Sequence, residues 1–161
     1  MKKSILTLLL LAAGGSVWAQ QAGQGGIGVV LGGPTAVTGK YWVSGTRAVD
    51  AGVGVADGAV FYGTYEWTDW NLFARPSQGK LGGYVGLGPQ IEFADRYREH
   101  RDDNDLGLRT IAGLDYFFEN QPIELFVEAG PVFELVPGAW VNVDIGLGVR
   151  FYFSGPAVAA K

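Results

Sequence analysis

The stretch Trp140 to Phe153, W-V-N-V-D-I-G-L-G-V-R-F-Y-F, carries an apolar side chain at every second position from Val141 onward. The positions between them are mostly polar residues or glycine. A period of two predicts a β-strand with one apolar face and one polar face. The apolar face is too long and too uniform for an ordinary surface strand. It indicates a strand with lipid on one side and a narrow polar interior on the other.

Seven further segments show the same alternation, at residues 26–31, 35–43, 48–56, 59–70, 81–93, 106–118 and 122–136. Links with turn residues, such as Asp57-Gly58 and Pro137-Gly138, suit antiparallel neighbours. Because backbone groups that face lipid must all be paired, the sheet has to close. The pattern therefore predicts an all-β fold, a closed antiparallel eight-stranded up-and-down transmembrane β-barrel. Eight strands leave room only for side chains inside, so a wide porin channel is not expected.

The end of the last strand resembles the closing strand of bacterial outer-membrane β-barrels, in which Gly-x-x-aromatic-x-Phe completes the chain. Here the motif consists of Gly148, Phe151 and Phe153. With its eight alternating segments, the chain resembles the small OmpA/OmpX-like barrels of Gram-negative outer membranes. The resemblance implies a monomer with a structural envelope role or a surface-interaction role. It also implies outer-membrane lipids and lipopolysaccharide as partners, and insertion by the barrel-assembly machinery through the C-terminal strand.

The first 19 residues have the pattern of a secretory signal peptide. Lys2 and Lys3 precede an apolar run, Ile5 to Ala13, that is too short to span a bilayer. Val17-Trp18-Ala19 is a small-x-small cleavage site. We therefore expect a cleaved signal at 1–19, a barrel domain at 20–153 and a short tail at 154–161, past the Phe at which the family usually ends.

The composition excludes several classes of function. The chain has no cysteine, which excludes disulfides and thiolate metal sites. After removal of the signal, ten basic and sixteen acidic residues remain, a net charge of −6 that argues against nucleic acid as a partner. No cofactor is expected.

The polar faces of the strands carry eleven ionisable side chains. With both termini in the periplasm, strand direction puts Lys40 and Arg150 in the periplasmic half and Arg109 in the other half, each among several carboxylates. Buried charges are tolerated when they are paired or hydrated, so we expect a structural ion-pair network in the interior. The predicted network contains Lys40, Asp50, Glu66, Glu92, Arg109, Asp115, Glu124, Glu128, Glu134, Asp144 and Arg150.

The outward positions place aromatic residues near the two ends of the strands. Such rings predict the interfacial girdles of a membrane barrel. Tyr41, Tyr65, Trp67, Tyr116, Phe151 and Phe153 fall at the periplasmic end, and Phe61, Phe93 and Phe133 at the other end. Pro89 and Pro131 also fall at outward positions, and since neither can donate a ladder hydrogen bond we expect a β-bulge at each.

The segment Ala94 to Asp105 is the most charged part of the chain. Arg96, Arg98, His100 and Arg101 form a candidate surface-interaction site, since guanidinium groups suit the phosphates of lipopolysaccharide. The run from Asp102 to Asp105 offers oxygen ligands for a hard cation but lacks the spaced ligands and closing Glu of a Ca²⁺ loop. We expect a solvated loop and no metal.

Catalysis is not expected. The lipid A-modifying barrels and outer-membrane proteases share this architecture and rely on histidine with serine or acidic partners. Here His100 is the only histidine, and Ser44, Ser77 and Ser154 lie in predicted turns or the tail, so no Ser/His pair can be drawn on the strands. Two other functions are compatible with eight strands: a soluble lipocalin-like barrel with an apolar interior in the periplasm, or a narrow pore.

Overall fold

The computed structural model describes residues 22–93 and 104–153. The predicted signal peptide, the four loop residues Arg96, Arg98, His100 and Arg101, and the tail 154–161 lie outside the described residues. Within the described ranges no helix is long and apolar enough to cross a membrane.

Eight β-strands form where the sequence alternates with period two. Their bounds lie close to the predicted ones, and β6 begins one residue earlier, at Asp105. The strands are β1 (Gly25–Gly33), β2 (Thr35–Ser44), β3 (Arg47–Val55), β4 (Ala59–Asp69), β5 (Lys80–Phe93), β6 (Asp105–Phe117), β7 (Ile123–Val136) and β8 (Trp140–Phe153).

The strands form one closed barrel in chain order, with every neighbouring pair antiparallel. The first and last strands pair from Gly25↔Phe153 to Gly33↔Ile145. The predicted fold class is therefore confirmed. We call the end of the barrel where β1 begins and β8 ends the terminal rim, and the other end the distal rim.

Along most of each strand, side chains alternate between the outer wall and the interior. In β8, Ile145 and Leu147 are 61% and 62% exposed, whereas Gly146 between them and Gly148 after them are buried. Inward glycines make room for rings from neighbouring strands, since a Cβ at Gly148 would lie 2.2 Å from Cζ of Phe126. The narrow interior is thus filled by large side chains that alternate with glycines.

Two apolar clusters lie inside the barrel. Trp42, Ala48, Phe117 and Tyr152 pack together near the terminal rim, with Trp70 against them. Val30, Ala36, Val60, Tyr62 and Phe126 form the second cluster, toward the distal rim. The charged side chains described below lie in the same interior as these clusters.

Both strand prolines interrupt the hydrogen-bonded ladder on one side without changing its register. Pro89 keeps its partner Leu108 in β6, while the ladder between β4 and β5 is interrupted beside it. Pro131 keeps its partner Val143 in β8, while the β6–β7 ladder is interrupted. The register is the same before and after each interruption, so the prediction of a bulge at each proline was wrong.

A glycine before each proline explains why no bulge is needed. A Cβ at Gly88 would lie 1.7 Å from the carbonyl oxygen of Gly63, and one at Gly130 would lie 2.0 Å from that of Thr110. Without side chains, both glycines let the proline-bearing strand approach its neighbour closely. Thr110 Oγ1 also donates to the carbonyl oxygen of Pro131, at 2.8 Å.

We predict that Gly88→Ala lowers the free energy of unfolding by about 1–3 kcal/mol, because the new methyl group would overlap backbone that cannot move away easily. Urea titration of the barrel refolded in detergent measures this loss. Gly63→Ala is the matched control, since nothing lies within 4 Å of a Cβ at that position. Equal stability of the two variants would contradict the close approach.

Candidate functional site

The candidate site is the charged interior of the barrel. Every ionisable residue predicted to point inward has its side chain on the inner face of its strand. Ten of the eleven are buried, namely Lys40, Asp50, Glu66, Arg109, Asp115, Glu124, Glu128, Glu134, Asp144 and Arg150, and Glu92 is half-buried.

Lys40 joins three carboxylates from three other strands. Its Nζ lies 2.9 Å from Glu66 Oε2, 3.1 Å from Asp115 Oδ2 and 3.1 Å from Glu124 Oε1, and all four side chains are fully buried. One cation thus faces three carboxylates in a region without solvent contact. Removal of this cation would leave buried carboxylates with too few partners.

Arg150 extends this group toward β3. Its Nη1 donates to Glu124 Oε1 at 3.1 Å, and its Nη2 pairs with Asp50 Oδ2. The same Nη2 donates to Thr38 Oγ1, which in turn donates to Asp50 Oδ2 at 2.8 Å. Glu124 is shared by Lys40 and Arg150, so the two cations hold one continuous network.

Arg109 forms a second group nearer the distal rim. Its Nη2 donates to Glu128 Oε1 at 2.7 Å and its Nε to Asp144 Oδ2 at 3.1 Å. Tyr84 donates its hydroxyl hydrogen to Glu128 Oε2 at 2.8 Å. The ion pairs therefore lie at two levels of the barrel, with Lys40 and Arg150 at one level and Arg109 at the other.

The buried cations also contact aromatic rings, and the sequence analysis did not predict these contacts. The Lys40 ammonium lies 4.7 Å from the Trp42 ring centroid, and the Arg150 guanidinium carbon lies 3.7 Å from that of Phe126. Such contacts stabilise a desolvated cation by about 2 kcal/mol. The inward position of these rings follows from period two, but their distance from a given cation depends on how the barrel closes.

A third charged cluster lies at the distal rim, where Glu92, Asp105 and Glu134 place carboxylate oxygens within 4.8 Å of one another. Glu92 and Asp105 are direct cross-strand partners, and Asn142 Nδ2 donates to Glu134 Oε1 at 2.5 Å. These oxygens are of the kind that could hold a hard cation.

The expectation that Asp105 belongs to a solvated loop was wrong, because it is the first residue of β6 and its side chain is buried. In the sequence, Asp105 lies two residues before the inward Gly107, and this spacing indicates that its side chain also points inward.

The two serines in the described part of the chain do not belong to the ion-pair network of the interior. Over residues 22–93 and 104–153, the serines are Ser44, at the end of β2, and the exposed Ser77. The only histidine of the chain, His100, lies outside the described residues.

The predicted girdle residues lie on the outer wall, and some of them pair at the rims. At the terminal rim, Tyr65 and Trp67 have ring centroids 4.8 Å apart. Phe61 and Phe93 pair at the distal rim, at 5.6 Å. Six of the nine are exposed, namely Tyr41, Phe61, Trp67, Phe93, Phe133 and Phe153. The other three are half-exposed, namely Tyr65, Tyr116 and Phe151. Phe73, Phe118 and Trp140 are exposed aromatics that the prediction did not include.

We predict that Lys40→Met lowers the free energy of unfolding by about 3–5 kcal/mol, because it leaves Glu66 and Asp115 buried without their cation. Urea titration in detergent measures the loss. Lys80→Met is the control, since the Lys80 ammonium lies 3.8 Å from the centroid of the Trp70 ring at the rim and its loss should cost under about 1 kcal/mol. Similar losses in the two variants would contradict a structural role for the buried network.

The same architecture is found among solved structures. The N-terminal β-barrel domain of Pseudomonas aeruginosa OprF matches with a TM-score of 0.57 and 17% sequence identity, over 81% of this chain and 96% of that domain. No protein-family model matches the chain, and no curated protein matches it in sequence. At this identity the likeness shows the fold alone. The resemblance to OmpA-like barrels is therefore confirmed at the level of the fold, a closed eight-stranded barrel like that of OprF.

Proposed function

We propose that the chain is an integral protein of the bacterial outer membrane with a structural envelope role or a surface-interaction role and no catalytic activity. In this proposal a signal peptide at 1–19 directs export and is cleaved. The barrel domain at 20–153 then crosses the membrane as a monomer, and the tail at 154–161 follows it.

The distribution of polarity between wall and interior carries the proposal. Among the residues that the structure describes, fifteen polar or charged residues are buried, against twelve apolar or aromatic ones. The outer wall instead exposes valine, leucine and isoleucine, for example Val143 at 66% and Leu31 at 63%. A soluble protein buries such side chains and rarely exposes a continuous apolar surface of this size. If hydrocarbon surrounds the barrel, this apolar surface does not face water.

The same distribution argues against a soluble lipocalin-like barrel. That function requires an apolar interior to hold its ligand and a polar wall to face water. The interior here holds Lys40, Arg109 and Arg150 with their carboxylates, and the wall is apolar. The opposite polarity of the two surfaces leaves this alternative without support.

The filled interior supports a structural role over conduction or catalysis. Lys40, Glu66 and Arg150 are at most 1% exposed, and their ion pairs cross the lumen. Near the terminal rim the rings of Trp42 and Phe117 pack at 6.1 Å between centroids. These contacts leave little room for a substrate or for a column of water, so interactions with other molecules would use the outer surface.

The proposed partners follow from insertion in this membrane. Lipids would surround the apolar wall, the barrel-assembly machinery would act on β8, and lipopolysaccharide phosphates would meet Arg96, Arg98 and Arg101. We predict that alanine at these three arginines lowers co-purification of lipopolysaccharide with the barrel. Alanine at the exposed Arg47, at the terminal rim, is the control. Unchanged co-purification in the triple variant would remove this part of the proposal.

Membrane fractionation tests the proposal as a whole. We predict that the expressed full chain appears in the outer-membrane fraction, shortened by its signal peptide. Without boiling it should migrate faster on a denaturing gel than after boiling, because a closed barrel resists detergent. A soluble periplasmic protein without heat-dependent mobility would overturn the proposed location.

A further inference from the structure

A groove with a volume of about 550 Å³ crosses the outer wall over β4 to β7. It lies on the apolar outer wall. The outward residues of its lining include Asp69, Trp67, Leu72, Gly83, Ala112 and Ala129. The lining also reaches Tyr84 and Glu128, which pair with each other inside the barrel.

Small residues make the floor of the groove. Ala112 and Ala129 are cross-strand partners on β6 and β7, so two methyl groups lie where other parts of the wall carry valine or leucine. The turn after β4 folds back over Gly83, since a Cβ at that position would lie 2.5 Å from Leu72 Cδ2. Leu72 and Trp67 therefore stand beside a low floor.

The groove runs from the terminal rim toward the middle of the wall. Asp69 is the last residue of β4 and faces Gly83 near the start of β5, so this end lies at the rim. Ala129 lies near the middle of β7, between Ile123 and Val136. One end thus carries an exposed carboxylate, and the other end is apolar.

We propose that this groove binds one acyl chain of a phospholipid with a primary amine headgroup, whose ammonium group pairs with Asp69. The inference rests on the proposed function, because the groove meets lipid only if the barrel lies in a membrane. The change from a charged end to an apolar end matches the order of headgroup and chain in a lipid. The carboxylate at the rim selects a headgroup with a cation and repels one whose only charge is its phosphate.

Native mass spectrometry of the mature barrel, refolded in detergent with one added phospholipid, tests the proposal. We expect one bound ethanolamine phospholipid on the unmodified barrel, with about two- to fivefold preference over a glycerol headgroup, the range of an exposed ion pair. Ala112→Phe fills the floor and should reduce binding at least fivefold. Ala129→Phe serves the same purpose if the first variant does not fold.

Two further variants distinguish binding of the acyl chain from recognition of the headgroup. Val29→Phe places the same ring on β1, at an exposed position on a distant part of the wall, and should bind as the unmodified barrel does. Asp69→Asn should keep the acyl chain bound but lose the preference between headgroups. Equal binding by Ala112→Phe and Val29→Phe, or preference for the glycerol headgroup, would overturn the proposal.

Heat-dependent gel mobility of each sample distinguishes failure of the groove proposal from failure of the proposed membrane function. A folded barrel that retains no lipid overturns the groove alone. A chain that never forms a heat-modifiable barrel in detergent contradicts the proposed membrane function, and with it the lipid site.

Discussion

The hydrogen-bonded seam between β1 and β8 is the contact on which the rest of the structure depends. It pairs the two ends of the sheet from Gly25↔Phe153 to Gly33↔Ile145. Without it both strands would present unpaired backbone groups, each of which costs several kcal/mol in hydrocarbon. The seam also creates the interior, because Lys40 on β2 reaches Asp115 on β6 only across a closed lumen.

Closure with eight strands makes the interior narrow, and a narrow interior determines which side chains fit. Rings such as Tyr84 need a facing glycine, as at Gly113, where a Cβ would lie 2.4 Å from the ring. The buried cations are few, so each one contacts more than one carboxylate and an aromatic face. Together, these contacts offset the desolvation of charges that no water reaches.

Period two in the sequence was sufficient for the strand count, the closed fold and the inner or outer position of every predicted side chain. It could not show which inward residues meet, since Lys40 and Glu124 are 84 residues apart and their contact depends on the stagger between strands. The absence of a β-bulge at Pro89 and at Pro131 was also not predicted, because the close approach of a neighbouring backbone to the preceding glycine is a property of the folded sheet. The groove beside Leu72 depends on how a turn folds back and has no periodic signal.

The central claim is that the apolar wall faces hydrocarbon while the charged interior does not. Quenching of single tryptophans by phospholipids with brominated acyl chains tests it directly, since Trp67 is 45% exposed on the wall and Trp42 is fully buried inside. Each variant keeps one of these two residues and has phenylalanine at the other tryptophans of the mature chain. In bilayers we expect strong quenching of Trp67 and little quenching of Trp42. Equal quenching of the two, or stronger quenching of Trp42, would contradict the orientation of the barrel wall.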